Sequence, residues 1–277
     1  MSLELWFTED QTKDLRISCR VKEVLYHGRS KYQEIVVVDT YEYGRLMALD
    51  GAIQITEKDE FTYHEMMAHV PLHAHPSPRK VLVIGGGDGG TLREVAKHSE
   101  VESIELVDID EEVIKVSKRF FPTVSVGFDD DRVQVKVEDG VEYVKQRKGY
   151  YDVVIVDSTD PVDIAKVLFE EPFYRSIHEA LKDDGVFVAQ TESPFCELDI
   201  LRGAYENIKR VFENVWIYWG AMPTYPSGMW TYTIGSKRYD VTVPRRACTV
   251  ETRYYSSEVH KAAFSLPPFV REWVGME

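Results

Sequence analysis

Five aspartates stand where apolar runs of this chain end: Asp88, Asp108, Asp139, Asp157 and Asp160. The first lies inside Val83-Ile84-Gly85-Gly86-Gly87-Asp88-Gly89-Gly90-Thr91-Leu92, in which Gly85, Gly87 and Gly90 satisfy Gly-x-Gly-x-x-Gly. Bare backbone between a strand and a helix lets a nucleotide approach closely. Asp108 closes Ile104-Glu105-Leu106-Val107 about 20 residues further on, where a carboxylate can grip ribose hydroxyls. A carboxylate within a phosphate cradle repels a diphosphate and attracts a cation. Asp88 therefore favours a nucleoside carrying positive charge. The sulfonium of an S-adenosyl compound qualifies, and one lacking the methionine carboxylate qualifies best. Taken singly, Asp88 reads as a helix cap and Asp157-Ser158-Thr159-Asp160-Pro161 as a turn. Five acids converging on one crevice weaken both readings.

Stepping outward from these residues, the elements that must carry them alternate. Apolar runs at Lys80–Ile84, Ser103–Val107, Val133–Val137, Tyr151–Val156 and Val186–Thr191 are interleaved with helical stretches at Thr91–His98, Glu111–Phe121, Val141–Arg147, Phe169–Leu181 and Glu197–Phe212. Runs such as Val153-Val154-Ile155-Val156 suit strands buried on both faces, hence a mostly parallel sheet covered by helices. Val215–Met222 and Trp230–Gly235 are joined by too few residues for a crossover helix and should form an antiparallel hairpin at the sheet edge. The fold class expected is α/β, with a Rossmann-like sheet of the S-adenosylmethionine-dependent methyltransferase type. Before it, strand-like segments at Ile17–Leu25 and Glu34–Asp39 and turn residues at 42–45 and 49–52 predict a small antiparallel β domain. The domains expected are 1–65, the N-terminal β domain, and 66–277, the catalytic domain. Phe61–His73 should be helical, with His75-Pro76-Ser77-Pro78-Arg79 as a hinge.

The 277 residues carry 33 Lys+Arg and 47 Asp+Glu, a net charge of −14, and the pI is about 5.1. Nucleic acid and anionic membranes are poor partners for such a surface. Three scattered cysteines, Cys19, Cys196 and Cys248, give neither a disulfide framework nor a thiolate zinc site, and no segment resembles a leader or a membrane span. A cytoplasmic setting is expected. His64-Glu65-Met66-Met67-Ala68-His69 resembles a zinc-protease motif with one residue too many. Residues five apart on a helix are about 140° out of phase, so His64 and His69 cannot share an ion. No metal site is expected, and His73 and His75 read as surface residues.

Several blocks in one order then resemble a known family. Lys31-Tyr32-Gln33, Leu49–Gln54, Glu57–Glu65, Val81–Glu94, Asp157–Pro161, Pro223–Gly228 and Tyr254–Phe264 together resemble spermidine synthase, a polyamine aminopropyltransferase. The resemblance spans essentially the whole chain. It implies that decarboxylated S-adenosylmethionine, a co-substrate rather than a bound prosthetic group, donates an aminopropyl group to putrescine, leaving spermidine and 5′-methylthioadenosine. By position, Gln33 and Asp108 resemble contacts to the nucleoside, Asp139 and Gly140 contacts to adenine, and His64 and Asp88 partners of the aminopropyl end. Gly85 and Gly87 belong to the same donor loop. Asp157 matches the family's proton acceptor, with Tyr63 and Asp160 beside it. Gln54, Ser158, Thr159, Gln190, Tyr225 and Trp230 match the diamine channel together with Tyr63, His64, Asp157 and Asp160, and Trp6 is a weaker candidate. A homodimer or homotetramer is implied.

The chemistry so implied is an in-line displacement next to a sulfonium, whose thioether leaves without protonation. An alkylamine titrates near roughly 10 and arrives as ammonium, so a carboxylate must bind it and take a proton. Aromatic rings at Tyr225 and Trp230 would favour the distal ammonium. Two departures from the family stand out: Asp108 replaces the usual Glu, and Asp163-Ile164 replace Gly-Pro after Asp160. The rival enzyme reading is an S-adenosylmethionine-dependent N-methyltransferase acting on a small amine. A nucleoside-binding protein without catalysis is the rival of another class.

Overall fold

The computed structural model describes residues 4–160 and 163–276, the side chains of Asp163 and Ile164 excepted. Pro161, Val162 and those two side chains, and with them the Gly-Pro departure, lie outside the described residues. Two sheets form. The first holds β1 (Leu5–Thr12), β2 (Leu15–Arg29), β3 (Glu34–Thr40), β4 (Gly44–Leu49) and β5 (Ala52–Thr56) in sequential antiparallel order. β1 escapes the sequence reading because Leu-Trp-Phe-Thr-Glu-Asp-Gln-Thr has few β-branched residues and buries little besides Glu9.

The second sheet has seven strands in the order β11-β12-β10-β9-β6-β7-β8. They are β6 (Lys80–Gly85), β7 (Ser103–Asp108), β8 (Val133–Val137), β9 (Tyr151–Asp157), β10 (Leu181–Gln190), β11 (Asn214–Ala221) and β12 (Met229–Ser236). Every residue of β9 is buried, as its unbroken apolar run requires of a central strand flanked on both sides in parallel. The expected hairpin is present, with β12 antiparallel to both β10 and β11, so that β12 lies inside the sheet and β11 forms the edge. β6 and β9 are parallel neighbours, but β7 and β8 are added on one side of β6, and β9 and β10 on the other, a switch point whose two outgoing loops open a crevice.

Helices α1 (Glu60–Ala74), α2 (Gly90–Ala96), α3 (Glu111–Phe120), α4 (Gly140–Lys145), α5 (Glu171–Ala180), α6 (Leu198–Lys209), α7 (Ser257–Ala263) and α8 (Pro268–Val274) accompany the sheet. A 3₁₀ turn, Asp163–Phe169, precedes α5, which begins at Glu171, two residues after the start expected from the sequence. The expected hinge at 75–79 joins α1 to β6, and Met66, Met67 and Val70 of α1 pack in the same core as Val81 and Val83 of β6. α1 is buried almost all round. The Glu65 carboxylate, 1% exposed, accepts the backbone N–H groups of Arg253, Tyr254 and Tyr255 at 2.7–2.8 Å, folding the C-terminal segment over the helix. That cover corrects the reading of His73 and His75 as surface residues: both are at most 2% exposed, because chain far away in sequence returns across them.

Candidate active site

The loop after β6 and the loop after β9 meet at the switch point. Gly85 and Asp157 are register partners, and Gly86 N–H donates to the Asp157 carbonyl at 2.9 Å. Gly85 has φ of +81°, and a Cβ there would overlap that carbonyl, so no other residue fits without moving the strand end. Asp157 is thereby set at the floor of a cavity of about 380 Å³. Its Oδ1 accepts from the Tyr63 hydroxyl at 2.7 Å, while its Oδ2 is buried without a hydrogen-bond partner. Burial and then the neighbouring Asp88 push the Asp157 carboxyl above the usual carboxylate range.

Asp88 is held from both sides. Its Oδ1 accepts from Gly90 N–H at 2.6 Å and lies 3.3 Å from His64 Nε2, and Glu60 Oε2 is 2.6 Å from His64 Nδ1. Burial opposes charge on His64, yet Asp88 and Glu60 prevail and lift its pKa to about 10, an imidazolium between two carboxylates. Arg93 grips Glu60 through both oxygens at 2.9 and 3.0 Å, so the relay Arg93–Glu60–His64–Asp88 is closed. Neither Glu60 nor Arg93 was singled out from the sequence, since their role depends on α1 and α2 lying side by side.

Of the seventeen site residues expected from the sequence, all except His64 line this cavity, and His64 backs Asp88 from behind. Asp108 accepts from Asp110 N–H at 2.8 Å, and burial raises it to about 6. Gln33 donates to Asp110 at 2.9 Å; Asp110 caps α3 and also lines the cavity, a carboxylate overlooked because it reads as an ordinary cap. Asp139 caps α4 through Val141 N–H at 2.8 Å, with Gly140 following. Tyr225 donates to the Gln54 carbonyl at 2.6 Å and stands edge-on to Trp230, with ring centroids 4.7 Å apart. Gln190 donates to the Ser158 carbonyl at 3.2 Å. Trp6 is 51% exposed on β1 and does not line the cavity.

Two further carboxylates escaped the sequence reading. Glu9, on the unrecognised β1, reaches the cavity with one oxygen buried and unpartnered, and burial carries it to about 7. Glu192, just past β10, is 2% exposed with φ of +68°, a backbone state that non-glycine residues adopt at a cost. Its carbonyl is held by Thr231 N–H and hydroxyl at 3.0 and 2.7 Å, and its carboxyl, raised by burial and by the neighbouring Asp160, accepts from Gln190 at 3.1 Å. Among the described residues, the cavity lining includes eight carboxylates, Glu9, Asp50, Asp88, Asp108, Asp110, Asp139, Asp157 and Asp160, and no lysine or arginine.

Comparison with known proteins gives a consistent picture. Residues 60–245 match the spermine/spermidine synthase domain and residues 5–57 the spermidine synthase tetramerisation domain. Polyamine aminopropyltransferase of Caldicellulosiruptor saccharolyticus is 50% identical over 272 residues, 98% of each chain. That of Moorella thermoacetica is 51% identical over 272 residues, covering 98% of this chain and 96% of its own. A solved structure of spermidine synthase in complex with the transition state analogue AdoDATO superimposes with a TM-score of 0.95 at 45% identity, covering 98% of this chain and 95% of that one. Spermidine synthase from Thermotoga maritima superimposes at 0.92 with 43% identity, covering 99% and 95%.

Proposed function

From the premise that this chain belongs to the spermidine synthase family of polyamine aminopropyltransferases, we propose that it transfers the aminopropyl group of decarboxylated S-adenosylmethionine to putrescine, giving spermidine and 5′-methylthioadenosine. The observation that carries this reading is the cavity lining: among the described residues, eight carboxylates and no lysine or arginine suit two cationic substrates and repel an anionic one.

The donor's nucleoside lies along Gln33, Asp108, Asp139 and Gly140, beside the loop of Gly85 and Gly87. Its free amine faces Asp88, held by the His64 imidazolium. The acceptor amine sits between this donor and Asp157. The arriving ammonium gives a proton to Asp157 Oδ2, the oxygen left unpartnered, while Tyr63 pins Oδ1. The nitrogen lone pair so freed forms the new C–N bond as the C–S bond breaks and its electron pair returns to sulfur as a neutral thioether, leaving the new secondary nitrogen protonated. Gln54, Ser158, Thr159, Gln190, Tyr225 and Trp230 line the methylene chain, and Asp160, Glu192 and Glu9 supply the charge that meets the distal ammonium. These carboxyls, raised by burial, ionise fully when a cation joins them.

The chain is proposed to work in the cytoplasm as a homodimer or homotetramer. Exposed Leu5, Trp6, Leu15 and Val24 on β1 and β2 offer apolar surface for assembly, in the segment that matches the tetramerisation domain. None of the described helices is long and apolar enough to cross a membrane. The test is mass-spectrometric product analysis with the decarboxylated or the intact donor against putrescine, cadaverine and agmatine. Methylthioadenosine and spermidine from the decarboxylated donor are expected. Methylated amine from the intact donor would replace this reading with the methyltransferase one.

A further inference from the structure

Among the described residues, a buried group of titratable side chains outside the cavity lies beneath the C-terminal segment. His69 and His73 sit four apart, one turn of α1, and therefore on one face, unlike His64 and His69. His98 follows α2 and completes a triangle: all three are at most 2% exposed, and one ring nitrogen of each lies within 4.8 Å of those of the other two. The ring centroids are 5.1, 5.1 and 5.9 Å apart. Three imidazoles bound to one tetrahedral ion at about 2.0–2.1 Å need centroids roughly 5 Å apart.

The outward nitrogens are engaged in the manner of metal ligands. His69 Nε2 meets Glu94 Oε2 at 3.0 Å, His73 Nδ1 meets the His69 carbonyl at 2.9 Å, and His98 Nδ1 meets Glu100 Oε1 at 3.3 Å. A carboxylate or carbonyl on the far nitrogen fixes the tautomer and turns the near nitrogen's lone pair inward. His69 Nδ1 and His98 Nε2 face each other at 2.9 Å across a hydrogen bond, which leaves Nε2 of His73 as the third inward atom. His260 is committed elsewhere, to Tyr255 and the Val241 carbonyl, and the nearby Arg246 is paired with Glu100. Tyr255 stacks on His73 at 4.9 Å and also lines a surface hollow with Cys248 and Thr252.

We propose that His69, His73 and His98 bind one divalent transition-metal ion of the zinc class, fastening α1 to the end of α2. The ion displaces the proton shared by His69 and His98, small ring rotations bring the three nitrogens to bear, and a fourth position remains for water. Imidazole donors without thiolate or added carboxylate suit Zn²⁺, Ni²⁺ and Cu²⁺ over Mg²⁺ or Ca²⁺.

The test uses the full chain, stripped with chelator and titrated with Zn²⁺ by equilibrium dialysis and with Co²⁺ by visible absorption. One equivalent per chain, a tetrahedral Co²⁺ spectrum and a rise in Tm with Zn²⁺ are expected. His73→Phe keeps the ring that stacks on Tyr255 and should weaken Zn²⁺ at least about tenfold, as should His98→Gln, while His27→Gln at the exposed surface changes nothing. No saturable Zn²⁺ binding in wild type, or equal binding in wild type and a folded His73→Phe protein, overturns the site and leaves a hydrogen-bonded imidazole cluster. That result bears on the histidines alone, since none of the three lines the cavity.

Discussion

Asp157→Asn keeps the shape of the side chain and removes its charge. In the native site Oδ1 is occupied by the Tyr63 hydroxyl at 2.7 Å, whereas Oδ2 is buried and unpartnered. If the new NH₂ group replaces Oδ2, it aims N–H bonds at an incoming ammonium. If it replaces Oδ1, it faces the Tyr63 donor, and the amide oxygen left toward the substrate is too weak a base to take a proton. Either way general-base catalysis is lost, which is worth about 10²–10⁴-fold, or roughly 2.7–5.4 kcal/mol of activation free energy. Tyr63→Phe strips a hydrogen bond to a charged group, about 1.5–3 kcal/mol, and should cost less. Because the two side chains touch, the double variant should lose less than the sum of the single losses. The assay is single-turnover methylthioadenosine release at saturating substrates from pH 7 to 10, beside calorimetric donor affinity. Asp157→Asn should slow release by two to four decades with the donor Kd changed less than about threefold, under 1 kcal/mol. Its residual rate should climb more steeply with pH than wild type, as the free amine, titrating near roughly 10, takes over. Turnover within threefold of wild type would refute Asp157 as the proton acceptor, and a matching loss of donor affinity would reassign it to donor binding.

Two more outcomes test the buried relay. His64 is raised from about 6.5 to about 10, so its contribution is fully present below pH 6.5 and fades as pH rises through 10. Chemical unfolding of wild type against His64→Gln should show the difference shrink by about 3–5 kcal/mol over that window, and a constant difference would mean that His64 is neutral. Gly90→Ala places a Cβ on the His64 ring, so in place of the usual helical gain it should destabilise by about 1–3 kcal/mol and lower the His64 titration seen by NMR. A stabilised variant with an unchanged His64 titration would count against the packing argument.

What was legible in the sequence follows the reach of each signal. Strands buried on both faces announce themselves, so β6, β7, β9 and β10 were visible, with Asp88, Asp108 and Asp157 at or just past the ends of the first three, and the hairpin of β11 and β12 followed from a short connection. Glu9 was not, because β1 becomes a strand only by pairing with β2. Glu192 was not, because a positive φ one residue beyond Thr191 leaves no local mark. The grouping of His69 and His73 with His98 was not legible, because His98 arrives from another element. His73 and His75 were misjudged for the same reason: the chain that covers them is numbered beyond 240.

Tyr63, His64 and Glu65 are consecutive on α1, about 100° apart around its axis. One holds Asp157, the proposed acceptor-side base, the next holds Asp88 in the proposed donor loop, and the third holds the distant tail. Three bearings taken from one rigid rod leave it no freedom to swivel: any roll that improves one alignment spoils the other two. The tail at 253–255, far from either substrate in sequence, is thereby an alignment stop for the chemistry, and loosening it would blur donor and acceptor geometry together.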